Sequence, residues 1–210
     1  MFQGEFPPEG RFVLLPAAGL SQRMGKHKLS LPLGESTLLG QVLENYLAAA
    51  IDLIVLIRRP GDDALVDALP TSDRLLLVTP SEAPADMKAS LGYGLAALES
   101  FRKIRETDLF LLSPPDMPLL EPSLLDYLLE EWFRGQQDVL IPTYQAKRGH
   151  PVLFSGRIAE LISEIRVDEG LNALWRRDGI RLREMELGIP EILFDVDTPE
   201  EYAEARKRLG

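Results

Sequence analysis

The sequence predicts a Rossmann-like α/β protein: a mainly parallel sheet with helices on both faces. Three observations carry that expectation. Short, nearly unbroken apolar runs such as Phe12 to Leu15, Ile51 to Ile57 and Leu109 to Leu112 recur along the chain, as strands covered on both faces do. Amphipathic stretches of helical period separate them, and this strand-helix alternation is what βαβ units require. The segments least compatible with regular structure, 16–28 and 113–118, directly follow such runs, at the edge where open α/β sheets bind ligands.

The elements follow in order. Phe12 to Leu15 reads as a strand ended by Pro16 and an Ala17-Ala18-Gly19 turn. Ser36 is placed to N-cap a helix with Leu39, Val42, Leu43, Tyr46 and Leu47 on its apolar face. Ile51 to Ile57 is a strand, followed by a helix around Asp62 to Ala68 and a strand at Leu75 to Val78. Ala85 to Arg102 reads as a helix containing Gly92 and Gly94, and Leu109 to Leu112 as a buried strand. The proline-rich Ser113 to Pro118 segment fits neither helix nor central strand. Ser123 to Phe133 is helical, Val139 to Ile141 and Pro151 to Phe154 are strands, and helices cover Ile158 to Ile165 and Leu171 to Arg176. Ile192 to Val196 reads as a late strand. Thr198 then N-caps the last helix, with Pro199 at its first position and Glu201 completing a capping box. The region 140–200 departs from strict alternation.

Composition narrows the class. The 210 residues suit one α/β domain, and 45% hydrophobic residues suffice for a core. With no cysteine, disulfides, cysteine-ligated zinc and thiol nucleophiles are excluded. His27 and His150 are too few for a histidine-rich metal site. The formal net charge of -10 argues against general binding of nucleic acid or anionic membrane. No secretory signal or membrane-length apolar run is present, so a cytoplasmic location is expected.

Two constellations carry chemistry. In the loop after the first strand, Ala17, Ala18, Gly19, Ser21 and Gly25 let backbone and small side chains approach a ligand, and Arg23 and Lys28 add positive charge where a triphosphate would lie. Taken singly, each basic residue reads as a solvated surface group; together, after a buried strand, they read as a phosphate site. The loop is not a P-loop, because five residues separate Gly19 from Gly25, and it lacks the G-x-G-x-x-G dinucleotide pattern. The second constellation is Asp116, which ends a buried strand and offers a hard oxygen ligand to Mg²⁺. Its competing reading is a turn-forming aspartate among prolines.

The run Leu15-Pro-Ala-Ala-Gly-Leu-Ser-Gln-Arg-Met-Gly-Lys-His-Lys28 resembles the opening of nucleotidyltransferases that act on molybdenum cofactor, the cytidylyltransferases above all. Further segments are similar in the same order: Met87 to Leu98, Phe110 to Pro118, Arg148 to Phe154, Asp168-Glu169-Gly170, and Asp195-Val196-Asp197-Thr198-Pro199-Glu200-Glu201. Pro16 and Pro115 depart from the residues usual there. The resemblance implies a single nucleotidyltransferase domain over residues 1–210 of the nucleotide-diphospho-sugar transferase type. In it Arg23 and Lys28 grip the triphosphate and Ser90 contacts the nucleotide, unless Ser90 is merely a helix-surface serine. Asp116 with Asp195 or Asp197 would hold Mg²⁺, with Asp197 or Thr198 alternatively serving as the helix cap. His150 would contact an acceptor phosphate or order its loop, and Asp168 would build the acceptor side or cap a helix.

The reaction so implied joins an NTP, with CTP favoured by the Ala17-Ala18-Gly19 loop, to a phosphorylated pterin-type acceptor with release of pyrophosphate. A molybdoenzyme is an implied partner. Two alternatives stay open: a transferase of the same fold that uses GTP or a sugar or alcohol phosphate, and a non-catalytic carrier of molybdenum cofactor.

Overall fold

The computed structural model describes residues 7, 9–19, 28–66, 69–162, 164–165 and 170–209. In chain order the elements are β1 (Arg11–Ala17), β2 (Pro32–Leu33), β3 (Ser36–Thr37), α1 (Leu38–Ala48), β4 (Leu53–Arg58), α2 (Asp63–Val66), β5 (Leu75–Val78) and α3 (Met87–Glu99). They continue with β6 (Leu109–Leu112), α4 (Pro122–Arg134), β7 (Val139–Tyr144), β8 (Lys147–Arg148), β9 (Val152–Ser155), α5 (Gly156–Ile162), α6 (Leu171–Leu174), β10 (Leu182–Glu186) and α7 (Pro199–Leu209).

The main sheet has the order β10-β7-β9-β6-β1-β4-β5, with β8 paired to β7. β1 is parallel to β4 and β6, β4 to β5, and β10 to β7. β9 alone on the main path is antiparallel, to both β6 and β7. Side chains alternate across the sheet. Val13, Leu15 and Ala17 join the residues of α1 and α4 in one core, whereas Phe12 and Leu14 join those of α3 and α5 in the other. Phe12, Phe110, Phe154 and Trp175 form a continuous aromatic row in the second core, with ring centroids 5.4 to 5.8 Å apart. Gly94 lets α3 approach the sheet closely, since a Cβ there would stand 3.0 Å from Ile57 Cδ1.

The main departures from expectation have local causes. β1 continues through Pro16 and Ala17, which pair with Ile57 and Arg58 of β4. Leu14 accepts from Ser113 N on the β6 side. Pro16, two residues on, faces that same side beyond the last β6 pair, so its missing N–H costs nothing. Thr37 rather than Ser36 caps α1, accepting from Gly40 N at 3.0 Å; Ser36 and Thr37 form the second strand of a small hairpin that turns at Gly34 (φ 61°). Asp86 caps α3 at its start and Ser100 ends it, so the helix is shorter at both ends than the apolar pattern suggested.

Two corrections matter most. Residues 192–196 are not a strand. Pro190–Leu193 is a 3-10 turn, and the segment beyond it bonds to loops: His150 N donates to Ile192 O, and Val196 N donates to Asp116 O. The strand in that region is β10, whose sequence Leu-Arg-Glu-Met-Glu carries too little apolar signal to read as one. It lies at the sheet edge, where Arg183 pairs with Glu131 and Glu184 with Arg148 in partial solvent contact. No helix among the described residues is long and apolar enough to cross a membrane.

Candidate active site

β1, β4, β5, β6 and β7 all end at one edge of the sheet, and the antiparallel β9 begins there, with Val152 opposite Leu112. That reversal carries Arg148 to Pro151 to the edge where Asp116 lies. Gly149 is required at this point: a Cβ would stand 2.5 Å from Ile192 O. The neighbouring His150 N donates to that same carbonyl at 2.9 Å.

Lys28 opens a short 3-10 turn and is only 7% exposed. Its ammonium donates to Asp116 Oδ2 at 2.6 Å and to Asp197 Oδ1 at 2.8 Å. Burial by itself would lower the Lys28 pKa, but its hydrogen bonds and ion pairs with these two carboxylates raise it above the usual lysine value. The group is a fixed positive charge. The other oxygen of Asp116, Oδ1, is buried and has no hydrogen-bond partner among the described residues.

Asp197 is not the helix cap. Thr198 is, with Oγ1 accepting from Glu201 N at 3.2 Å while Glu201 Oε2 accepts from Thr198 N at 2.7 Å. The same Glu201 oxygen accepts from Asp197 N at 2.8 Å, so the capping box also fixes the backbone that aims Asp197 at Lys28. Asp195 is half-buried, and its carboxyl is pushed up first by burial and then by the charges of Asp116, Asp197 and Glu201. The pocket thus carries negative charge beyond what one ammonium neutralises.

The His150 imidazole is hydrogen-bonded to the Leu112 carbonyl, and burial depresses its pKa despite the nearby Asp116 charge, so it is a neutral ring. Its Nδ1 is buried and has no hydrogen-bond partner among the described residues. Ala17 and Ala18 are buried at the end of β1, and Gly19 is exposed, with open space around its Cα. Ser90 is buried, and its hydroxyl donates to Asp86 O within its own helix. It is thus not a surface serine, and its hydroxyl is engaged inside α3. Ser21, Arg23, Gly25 and Asp168 lie outside the described residues.

Two residues at this edge escaped the sequence reading. Arg59, just after β4, donates to Ala18 O at 3.3 Å and supports the loop after β1. Asn45 of α1 donates to Pro118 O at 2.9 Å. The only sequence signals were an arginine pair at the end of a buried strand and an asparagine inside a helix.

Among the described residues no three His, Asp or Glu side chains form a metal cage. The donors that do gather are hard carboxylate oxygens, one of them orphaned, around a site already holding a cation. A divalent ion with a few protein oxygens and the remainder from water or phosphate suits that chemistry.

A buried ammonium thus lies between two carboxylates at the ligand edge of a mainly parallel sheet. The protein is a nucleotidyltransferase. It belongs to the family of MobA-like NTP transferase domains, matched over residues 13–183. It is 24% identical to the molybdenum cofactor cytidylyltransferase of Escherichia coli (strain K12) over 196 residues, covering 93% of this chain and 95% of the relative. It is 25% identical to the purine catabolism protein PucB of Bacillus subtilis (strain 168) over 208 residues, covering 92% and 95%. Among solved structures it is similar to Rv0371c of Mycobacterium tuberculosis H37Rv in complex with manganese, with a TM-score of 0.73 and 24% identity over 95% of this chain and 98% of that one. This last likeness shows the fold.

Proposed function

We propose that the chain, acting as a single nucleotidyltransferase domain, transfers the cytidylyl group of CTP to the phosphate of a molybdopterin-type cofactor and releases pyrophosphate. The observation that carries the reading is the Lys28 ammonium held between Asp116 and Asp197. The similarity to the Escherichia coli cytidylyltransferase along nearly the whole chain supports the donor and the acceptor.

In this reading an acceptor phosphate oxygen attacks the α-phosphorus in line. The bond from the α-phosphorus to the bridging oxygen breaks, and pyrophosphate leaves with the electron pair. A phosphate dianion needs no general base, and the chain has no cysteine to form a covalent intermediate. Positioning and charge neutralisation carry such transfers. Asp116, with Asp197 or Asp195, would hold Mg²⁺. When bound, the ion neutralises charge on the phosphate oxygens as a Lewis acid. Lys28 and Arg23 grip the triphosphate, with Ala17, Ala18, Gly19, Ser21 and Gly25 shaping the loop around it and Ser90 standing at the start of α3. Neutral His150 spends its one N–H on the Leu112 carbonyl, so its Nδ1 can accept from an O–H or N–H of the acceptor, and Asp168 belongs to the same side.

The test supplies each of the four NTPs with extracted molybdopterin cofactor and Mg²⁺ and measures pyrophosphate. CTP should give the largest release, and a cytosine dinucleotide should accumulate in equal amount. Absence of pyrophosphate with every NTP would overturn the acceptor assignment.

A further inference from the structure

Asn45 stands inside α1, where asparagine is a poor choice because its side chain competes for backbone groups. It is also buried, and both ends of its amide are engaged. Oδ1 accepts from Gln41 Nε2 at 2.9 Å, and Nδ2 donates to Pro118 O at 2.9 Å. The Pro118 carbonyl can only accept, so it determines which end of the amide faces it.

Pro118 closes the segment Ser113-Pro114-Pro115-Asp116-Met117-Pro118. Its three prolines have no N–H, so the segment is poorly able to pin itself with turn bonds. It is held from outside instead. Ser113 N donates to Leu14 O at 3.2 Å, Asp116 O accepts from Val196 N at 3.0 Å, and Pro118 O accepts from Asn45. The first two are backbone bonds. The third depends on a side chain, so substitution can remove it. Tyr46, the next residue of α1, is fully buried with its hydroxyl alongside Ser113, at the other end of the same segment. One helix thus backs both ends of the loop that presents Asp116.

We infer that Asn45 is a positioning residue for nucleotidyl transfer: its amide holds the Pro118 carbonyl and so keeps the Asp116 carboxylate in register with Lys28 and Asp197. The inference rests on placing Asp116 at the reacting centre. Loss of the Asn45 bond frees the carboxyl-terminal end of a segment that has few bonds of its own. The effect falls on what Asp116 does and spares the triphosphate grip of the loop after β1.

The test compares Asn45→Leu, which removes the donor at similar volume, with Asn45→His, whose ring nitrogen restores one. Asn45, Pro118, Leu119 and Tyr127 line a cavity of about 470 Å³, which gives an imidazole room. Asn45→Asp keeps the shape without the donor and replaces the leucine variant if that one does not fold. Ile162→Ala, in the opposite core, controls for lost stability alone. Binding of Mn²⁺ alone is titrated by electron paramagnetic resonance, and kcat and KM for CTP are measured well below the melting temperatures. The donor-less variant should lose about three- to tenfold in Mn²⁺ affinity and in kcat, the size of one neutral hydrogen bond. Its KM for CTP should stay within about twofold. Asn45→His should recover most of the loss, and Ile162→Ala should lower the melting temperature alone. Parent-like Mn²⁺ affinity and kcat in the donor-less variant would overturn the inference, as would losses that Ile162→Ala reproduces and Asn45→His does not repair. Asp116→Asn is run beside them. If it changes neither reading, the assignment of Asp116 fails; if it abolishes both while the Asn45 variants do nothing, only the Asn45 inference fails.

Discussion

The Lys28 ammonium lies 2.6 Å from Asp116 Oδ2, although 88 positions separate the two in sequence. The same ammonium reaches Asp197, so one cation serves two carboxylates. Lys28→Met should weaken triphosphate binding by roughly 1.5–3 kcal/mol, the range for a charge-assisted hydrogen bond. It should also lower the melting temperature without metal, because two acids that shared a cation would then face each other, and added Mg²⁺ should restore much of that loss. Calorimetric titration with CTP and thermal melts read the two effects. Unchanged affinity together with unchanged turnover would take Lys28 out of the site.

The three aspartates separate by substitution. Asp116→Asn keeps size and removes charge; it should leave the fold nearly intact, cut turnover by orders of magnitude and raise the Mg²⁺ needed for half-activation. Of Asp195→Asn and Asp197→Asn, the variant of the true ligand loses rate and metal dependence. Thr198→Ala, by contrast, removes the observed cap and should cost about 1 kcal/mol of stability with turnover largely retained. Parent-like turnover in Asp116→Asn at equal Mg²⁺ would refute the metal assignment.

Donor choice follows from a direct competition. With CTP and GTP at equal concentration and a common acceptor, product ratios give the ratio of specificity constants, which should favour CTP. A preference for GTP would overturn the cytidylyl assignment and leave the class of reaction standing.

Gly149→Ala should impair turnover more than its size suggests. Its Cβ would meet Ile192 O at 2.5 Å, the carbonyl that anchors His150 N. The expected signature is a higher KM for the acceptor with KM for CTP near the parent value. A parent-like KM for the acceptor would show that the 148–151 segment does not shape the acceptor side.

Away from the site, Asp138 is a test of acid stability. Its buried carboxylate accepts from Arg181 N at 2.9 Å and from the Arg181 guanidinium, which holds its pKa below the ordinary value of 3.8. A depressed folded pKa contributes stability that is full above 3.8 and is lost as pH falls through the folded value. Asp138→Asn should therefore cost about 1–2 kcal/mol at neutral pH, and the gap from the parent should close as pH drops below 3.8. Denaturant melts across that range check both statements; a gap that stays constant with pH would contradict the ion-pair account.

Much of the candidate site was legible because its parts are local signals. A basic residue beyond a buried strand, an aspartate ending another, and a Thr-Pro-Glu-Glu capping box each depend on residues within a few positions of one another, so Lys28, Asp116 and Thr198 could be marked in advance. The role of Asn45 was not legible, because its partner Pro118 is 73 positions away.

Period and punctuation by themselves determined the buried strands β1, β4 and β6, the half-buried β5, the helices between them and the capped α7, because each of these shows its pattern in residues close in the chain. Tertiary structure decided the rest. In β10 the charged side chains of Arg183 and Glu184 pair with Glu131 and Arg148, so Leu182–Glu186 is held as a strand by its pairing with β7 and not by an apolar run. The direction of β9 is set by which neighbours it joins, and its reversal brings His150 beside Asp116. Apolar runs demand burial without naming their partners. Which strand lies beside which, and hence that Lys28 meets Asp116 and Asp197, is settled only when the whole sheet assembles and long-range hydrogen bonds select one order.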